Sequence, residues 1–177
     1  MTRLTFTNRT ALSLAAALLC LAPLAVVPSG CKMFRKTPLQ SVVQTRDPRT
    51  AGQLLEGFYA VEEGAWRWTA RQFTVRLKTP AEAPQKGAAL RVVLTVPPVV
   101  IEKSGPITLS ASLEGTALPA QTFSAPGNYT YRRDISADLL SGPDTTVSFQ
   151  LDKSMTPDGL DKRDLGVVVT TIALEPK

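Results

Sequence analysis

The sequence predicts an all-β fold: a single antiparallel β-sandwich, jelly-roll-like, of about eight strands. Three observations lead there. Apolar and polar residues alternate in several short runs, which is the period-two signature of strands buried on one face. Clusters rich in Gly, Pro, Asn and Ser separate those runs, supplying turn residues with fixed backbone preferences. The one local helix signal, at Ser136-Ala137-Asp138-Leu139-Leu140, amounts to a capped single turn.

Taken in order, the chain begins with Arg3 and Arg9 ahead of an apolar run over residues 11–27, followed by Pro28, Ser29, Gly30 and Cys31. This is the layout of a signal peptide. As a helix the run would span roughly 25 Å, short of a hydrocarbon core of roughly 30 Å, and Pro23 would break it near its end. Small residues directly before a cysteine resemble the lipobox of bacterial lipoproteins, in which the cysteine becomes the acylated first residue. That family favours Leu where Pro28 stands here. The alternative is an ordinary signal-peptidase cut, for example after Ser29. Cys20 falls inside the removed segment, so Cys31 is left without a disulfide partner, and thioether lipidation accounts for it. Several acyl chains supply the multiple signals that stable membrane attachment needs.

Residues 32–53 have no periodicity and carry Lys32, Arg35, Lys36, Arg46 and Arg49 against Asp47. They read as a flexible basic tether, either lying along acidic head groups or acting as a solvated spacer. The organisation expected is therefore a lipoprotein signal peptide over 1–30, a lipidated tether over 31–53 and a β-sandwich over 54–177. A chain starting at Leu54 is expected to fold alone.

Within that domain, strands are expected where Phe73, Val75 and Leu77 alternate with polar neighbours, over 90–96 and over 107–113. Further strands are expected over 129–135, 147–151 and 167–174, with weaker signals over 57–61 and 120–123. Breakers stand between them at Pro80 to Gly87, Pro97-Pro98, Ser104-Gly105-Pro106, Glu114-Gly115, Pro126-Gly127-Asn128 and Ser141-Gly142-Pro143.

Composition narrows the function. The 177 residues include no His, which removes Ser-His-Asp and Cys-His catalysis and His-ligated zinc. The net charge of +5 suggests nucleic acid until the charges are placed. From Leu54 onward, 13 basic residues face 14 acidic ones, so the domain lacks the clustered cations that a phosphate backbone requires. No nucleic-acid partner is expected, and no cofactor.

Two segments carry a resemblance: Gly57-Phe58, Glu62 and Arg67-Trp68-Thr69 at the start, and Asp161, Arg163 and Leu165-Gly166 before the last strand. Together they are similar to a small β-sandwich domain found beside bacterial glycosyltransferases and in other sugar-related proteins of the cell envelope. The resemblance implies an architecture like that of carbohydrate-binding modules. Trp66 and Trp68, two apart on an extended chain, point to one side while Arg67 points to the other. Exposed, the pair would be a stacking platform for sugar rings; buried, it is core. Asp161, Arg163 and Asp164 place charges in a loop. Carboxylates clustered in a loop can bind calcium, and an Arg can clamp a sugar hydroxyl or carboxylate, but EF-hand spacing is absent, and Arg163 is expected to pair with an acid such as Glu62 and pin the closing loop to the first strand. No metal site is expected. Trp66, Trp68, Glu62, Asp161 and Arg163 are thus the candidate ligand-binding residues. Glu62 and Glu63, adjacent on one strand, face opposite ways and cannot flank one glycosidic bond, so no enzyme is expected.

The leading expectation is a non-enzymatic, lipid-anchored β-sandwich of the cell envelope, facing the periplasm from the outer membrane and binding glycan or an envelope protein. The alternative is a structural or assembly lipoprotein that docks into a secretion or polysaccharide-export machine by strand addition.

Overall fold

A computed structural model describes residues 37–177 apart from 158 and 160. The expected signal peptide, Cys31 and the first part of the expected tether lie outside the described residues. Among the described residues, nine strands form the fold: β1 Val42–Gln44, β2 Leu54–Glu62, β3 Trp66–Lys78, β4 Ala88–Val96, β5 Ile107–Leu113, β6 Thr116–Phe123, β7 Gly127–Ile135, β8 Asp144–Leu151 and β9 Val168–Pro176. All pair antiparallel, in the order β6-β5-β8-β3-β9-β4-β7, with β2 on β3 and β1 on β9.

The ladder passes between the two layers of the sandwich through β3. Its second half, from Gln72 to Lys78, pairs with β8, whereas Arg67 and Trp68 in its first half pair with Val169 and Val168 of β9. One long strand thus serves both sheets, turning a corner between them. β2 follows it round, from Leu54 opposite Val75 to Glu62 opposite Trp66, with register shifts on the way. Alternation decides what enters the core. Phe73, Val75 and Leu77 of β3, Val147 and Leu151 of β8, and Ile107, Leu109 and Leu113 of β5 are buried, as are Leu90, Val92, Leu94 and Val96 of β4 and Ile172 and Leu174 of β9. Phe73 stacks on Phe149 with ring centroids 4.8 Å apart.

The strands follow the periodicity closely, since period-two burial is a local signal read directly from residue type. The tether differs. Residues 37–53 belong to the folded unit: Val43 of β1 is fully buried against β9, and the Thr45 hydroxyl donates to the Val169 carbonyl at 2.7 Å. Gln53, also buried, holds the backbone of Gln40 through both ends of its amide and donates to the Arg76 carbonyl. A three-residue strand is too short to show alternation, which is why 31–53 reads as unstructured.

Two short helices, α1 Ala83–Lys86 and α2 Pro98–Ser104, also depart from the all-turn expectation. In α2 the same breakers that suggest a loop act as helix punctuation: Pro98 occupies the first turn, where its missing N–H costs nothing, Gly105 ends the helix, and Val100 between them is buried. The single turn expected near Ser136 is a 3-10 turn over Ala137–Leu139.

The sandwich edges are blunted. Pro119 interrupts β6. Across the gap, β7 supplies side chains instead of a backbone ladder: the Tyr131 hydroxyl donates to the Pro119 carbonyl at 2.9 Å, and Arg133 donates to the carbonyls of Pro119 and Ala120 at 2.6 and 2.9 Å. Arg133 also lies over the Tyr131 ring, 4.1 Å from its centroid. Prolines, bulges and long cations are devices that keep an edge from recruiting another strand.

Candidate functional site

The opening and closing motifs meet. Thr69, fully buried, receives the Gly166 N–H on its carbonyl at 2.7 Å, donates its own N–H to the Val167 carbonyl at 2.8 Å, and accepts the Val167 N–H on its hydroxyl at 3.2 Å. The Tyr59 hydroxyl donates to the Asp164 carbonyl at 3.0 Å and accepts the Asp164 N–H at 3.1 Å. Arg163 Nη1 donates to Glu62 Oε1 at 2.6 Å, while Nε and Nη2 grip Asp161 at 3.0 and 2.8 Å. The guanidinium also sits 5.3 Å from the Tyr59 ring centroid. The closing loop is therefore pinned to the β2–β3 hairpin, with Arg163 and Glu62 paired as expected from the sequence.

These bonds commit Arg163. Each of its three side-chain nitrogens has a carboxylate partner, and the hydrogen bonds to Asp161 first and Glu62 second raise its pKa further above the ordinary guanidinium value. Three of its five N–H donors are thereby spent inside the protein, leaving one on each Nη beside the carboxylates. Its role in the rim is to fix Glu62 and Asp161 in place.

Beside this pin lies a trough of about 330 Å³ lined by Glu62, Trp66, Trp68, Thr95, Pro97 and Val168. Its floor is a cross-strand row. Trp68 of β3 is opposite Val168 of β9, Val168 is opposite Thr95 of β4, and Thr95 is opposite Asn128 of β7. Directly paired residues share a sheet face, so the row spans four strands, roughly 14 Å at a strand spacing of about 4.8 Å. The Thr95 hydroxyl donates to Asn128 Oδ1 at 2.6 Å at its far end. At the near end Trp66 pairs with Glu62 just before the turn. Both tryptophans are half-buried; Trp68 packs against the core, and Trp66 stands outside the buried cluster. Arg67 turns elsewhere, donating to the carbonyls of Thr45 and Tyr59 at 2.7 Å each.

All five residues singled out from the sequence thus gather at one end of the fold. Tyr59, Thr95, Pro97, Asn128 and Val168 join them without having been singled out. Tyr59 follows the Gly57-Phe58 motif directly, a weak signal. Thr95 and Val168 enter only through strand register, which no local pattern encodes. Among the described residues, no group of three or more acidic or thiol side chains is placed to hold an ion.

A larger concavity of about 480 Å³ lies on the outer face of the other sheet, lined by Gln72, Thr74, Ser110, Ser112, Ser148 and Gln150 among others. It offers hydroxyls, amides and the Glu56 carboxylate, and its one aromatic lining residue, Phe149, is buried. Volume alone does not make it the better site, because a small polar ligand in water needs apolar contact as well as hydrogen bonds.

No protein-family model and no curated protein sequence matches the chain. Its fold is similar to several solved structures at very low identity. One is the carbohydrate-binding module CBM36 in complex with calcium and xylotriose, at TM-score 0.40 and 9% identity over 75% of this chain and 98% of that one. Another is a family 35 carbohydrate-binding module from Clostridium thermocellum, at TM-score 0.44 and 12% identity over 76% of this chain and 97% of that one. A third is a family GH115 4-O-methyl-alpha-glucuronidase, at TM-score 0.46 and 9% identity, where the match covers 79% of this chain but 18% of the enzyme.

Proposed function

We propose that the protein is a lipid-anchored, non-enzymatic β-sandwich of the bacterial cell envelope that binds glycan in the Trp66–Trp68 trough. The observation that carries the binding site is the pairing of two half-buried indoles on one face with polar groups at both ends, Glu62 at one and the Thr95–Asn128 pair at the other. Indole faces take the CH faces of a sugar ring, and the flanking carboxylate, hydroxyl and amide take its hydroxyls. Neither contribution suffices in water alone. Glu62 and Asp161 are both engaged by Arg163 in a structural pin, which suits a binding site better than a hydrolytic pair. The blunted edges of β6 and β2 weigh against strand addition as the mode of docking.

The anchor rests on the sequence: the signal layout and Cys31. Its test is Cys31→Ala, which should release the chain from membranes and abolish incorporation of labelled fatty acid. Unchanged fractionation of the variant would refute the anchor and leave the site untouched. The site is tested by Trp66→Ala in a binding screen against envelope polysaccharides, with a melting curve beside it. Because Trp66 stands outside the buried cluster, the variant should lose glycan while losing no more than about 1 kcal/mol of stability. If the wild-type chain retains no polysaccharide, the glycan reading falls.

A further inference from the structure

We infer that the trough sorts sugars by charge and takes an amine-bearing sugar in preference to a neutral one, rejecting a uronic acid. The inference rests on the reading of the trough as a glycan site and goes on to name the ligand class.

The lining contains one charged side chain, Glu62, and it is acidic. Its Oε1 is held by Arg163, yet the side chain keeps 35% of its exposure, so the carboxylate still faces the solvent from which a ligand arrives. Two of the cations close by are engaged within the protein, while Lys162 is exposed on the closing loop. Arg163 has its three nitrogens on Asp161 and Glu62, and Arg67 has turned to two backbone carbonyls. In sequence, Glu62 and Glu63 of the hairpin and Asp161 and Asp164 of the closing loop outnumber Arg67, Lys162 and Arg163. The two indoles add to the bias, because an ammonium is attracted to an aromatic face.

An amine on a bound sugar would therefore find a carboxylate acceptor and two π faces. Acetylating it removes the charge but keeps the ring and its hydroxyls. A uronic acid would bring its carboxylate toward Glu62 with no uncommitted cation in the lining, so like charges would meet in a partly desolvated place.

The experiment compares three probes on the full 177-residue chain by calorimetry: glucosamine oligomers, the same oligomers N-acetylated, and galacturonic acid oligomers. The amine form should bind on the order of tenfold tighter than the acetylated form at low ionic strength, as expected for one charge-assisted hydrogen bond. That preference should shrink in high salt. The uronate should bind weakest. In Glu62→Gln, whose amide oxygen can still accept from Arg163, the amine form should lose more affinity than the acetylated form, so that the ratio between the two falls toward one. The salt titration on the wild-type chain reads the same preference if that variant fails to fold. Equal or tighter binding of the uronate would overturn the charge sorting and leave the trough as a glycan site. So would an amine preference that Glu62→Gln or salt does not touch. No binding of any probe, together with an inert polysaccharide screen, would remove both readings.

Discussion

Gly57 and Gly166 press on the same corner of β3. A Cβ on Gly57, whose φ is +71°, would collide with the Gln72 carbonyl oxygen and stand 2.7 Å from Phe73 Cα. One on Gly166 would stand 2.5 Å from Leu151 Cδ1 and 2.9 Å from the Ala70 carbonyl oxygen. The corner from Thr69 to Phe73 is where β3 leaves β9 for β8, so two glycines from opposite ends of the domain make room for the bend that joins its layers.

Gly57→Ala should be among the most damaging single changes in the chain, costing on the order of 3 kcal/mol or more, because backbone atoms at the collision cannot step aside and the φ is unfavourable as well. Gly166→Ala should cost less, since its φ is ordinary and its tightest contact is the mobile end of Leu151, although the 2.9 Å approach to the Ala70 carbonyl oxygen must still be absorbed. Urea denaturation of both variants measures the order; a Gly57→Ala protein as stable as the parent would show that the corner relaxes freely.

Arg163→Ala should loosen the closing loop and reduce stability by about 1 to 2 kcal/mol, a value held down by side-chain exposures near one third. Arg163→Lys should recover little of it, because a single ammonium cannot span Asp161 and Glu62 as the guanidinium fork does. Limited proteolysis around residues 152–165 should report the loosening before any change in far-UV circular dichroism.

A chain starting at Leu54 should be less stable than one starting at Thr37 by at least about 2 kcal/mol. It loses the buried Val43 and leaves the edge of β9 between Thr171 and Ala173 uncovered. It also lacks Gln53, which ties β3 to the segment around Gln40. Equal denaturation midpoints for the two chains would show that β1 is dispensable.

Glu175 joins β9 to its neighbours by accepting from Arg91 at 2.6 Å and Arg132 at 2.9 Å. The Arg91 hydrogen bond, opposed by burial and assisted by Arg132, holds its carboxyl below the ordinary value of 4.5. A group depressed in the folded state contributes stability above its unfolded pKa and loses it as pH falls through the folded one. The stability gap between the parent and Glu175→Gln should thus be full at neutral pH and close in acid, below 4.5. A gap that widens on acidification would reverse the assignment.

What the sequence determined by itself was local. Alternation at 107–113 matches β5 residue for residue, because burial on one face of a strand is written in every second side chain. The same rule placed Trp66 and Trp68 on one side of their strand, and opposite charges made Glu62 a natural partner for Arg163. Tertiary structure decided the rest. β1 contributes one buried valine, too little to leave a period. The floor of the trough depends on Val168 lying opposite both Trp68 and Thr95, a register set by the corner in β3 and the glycines that permit it. What holds Arg163 was decided in the same way, since one of its two carboxylate partners lies 101 residues away along the chain.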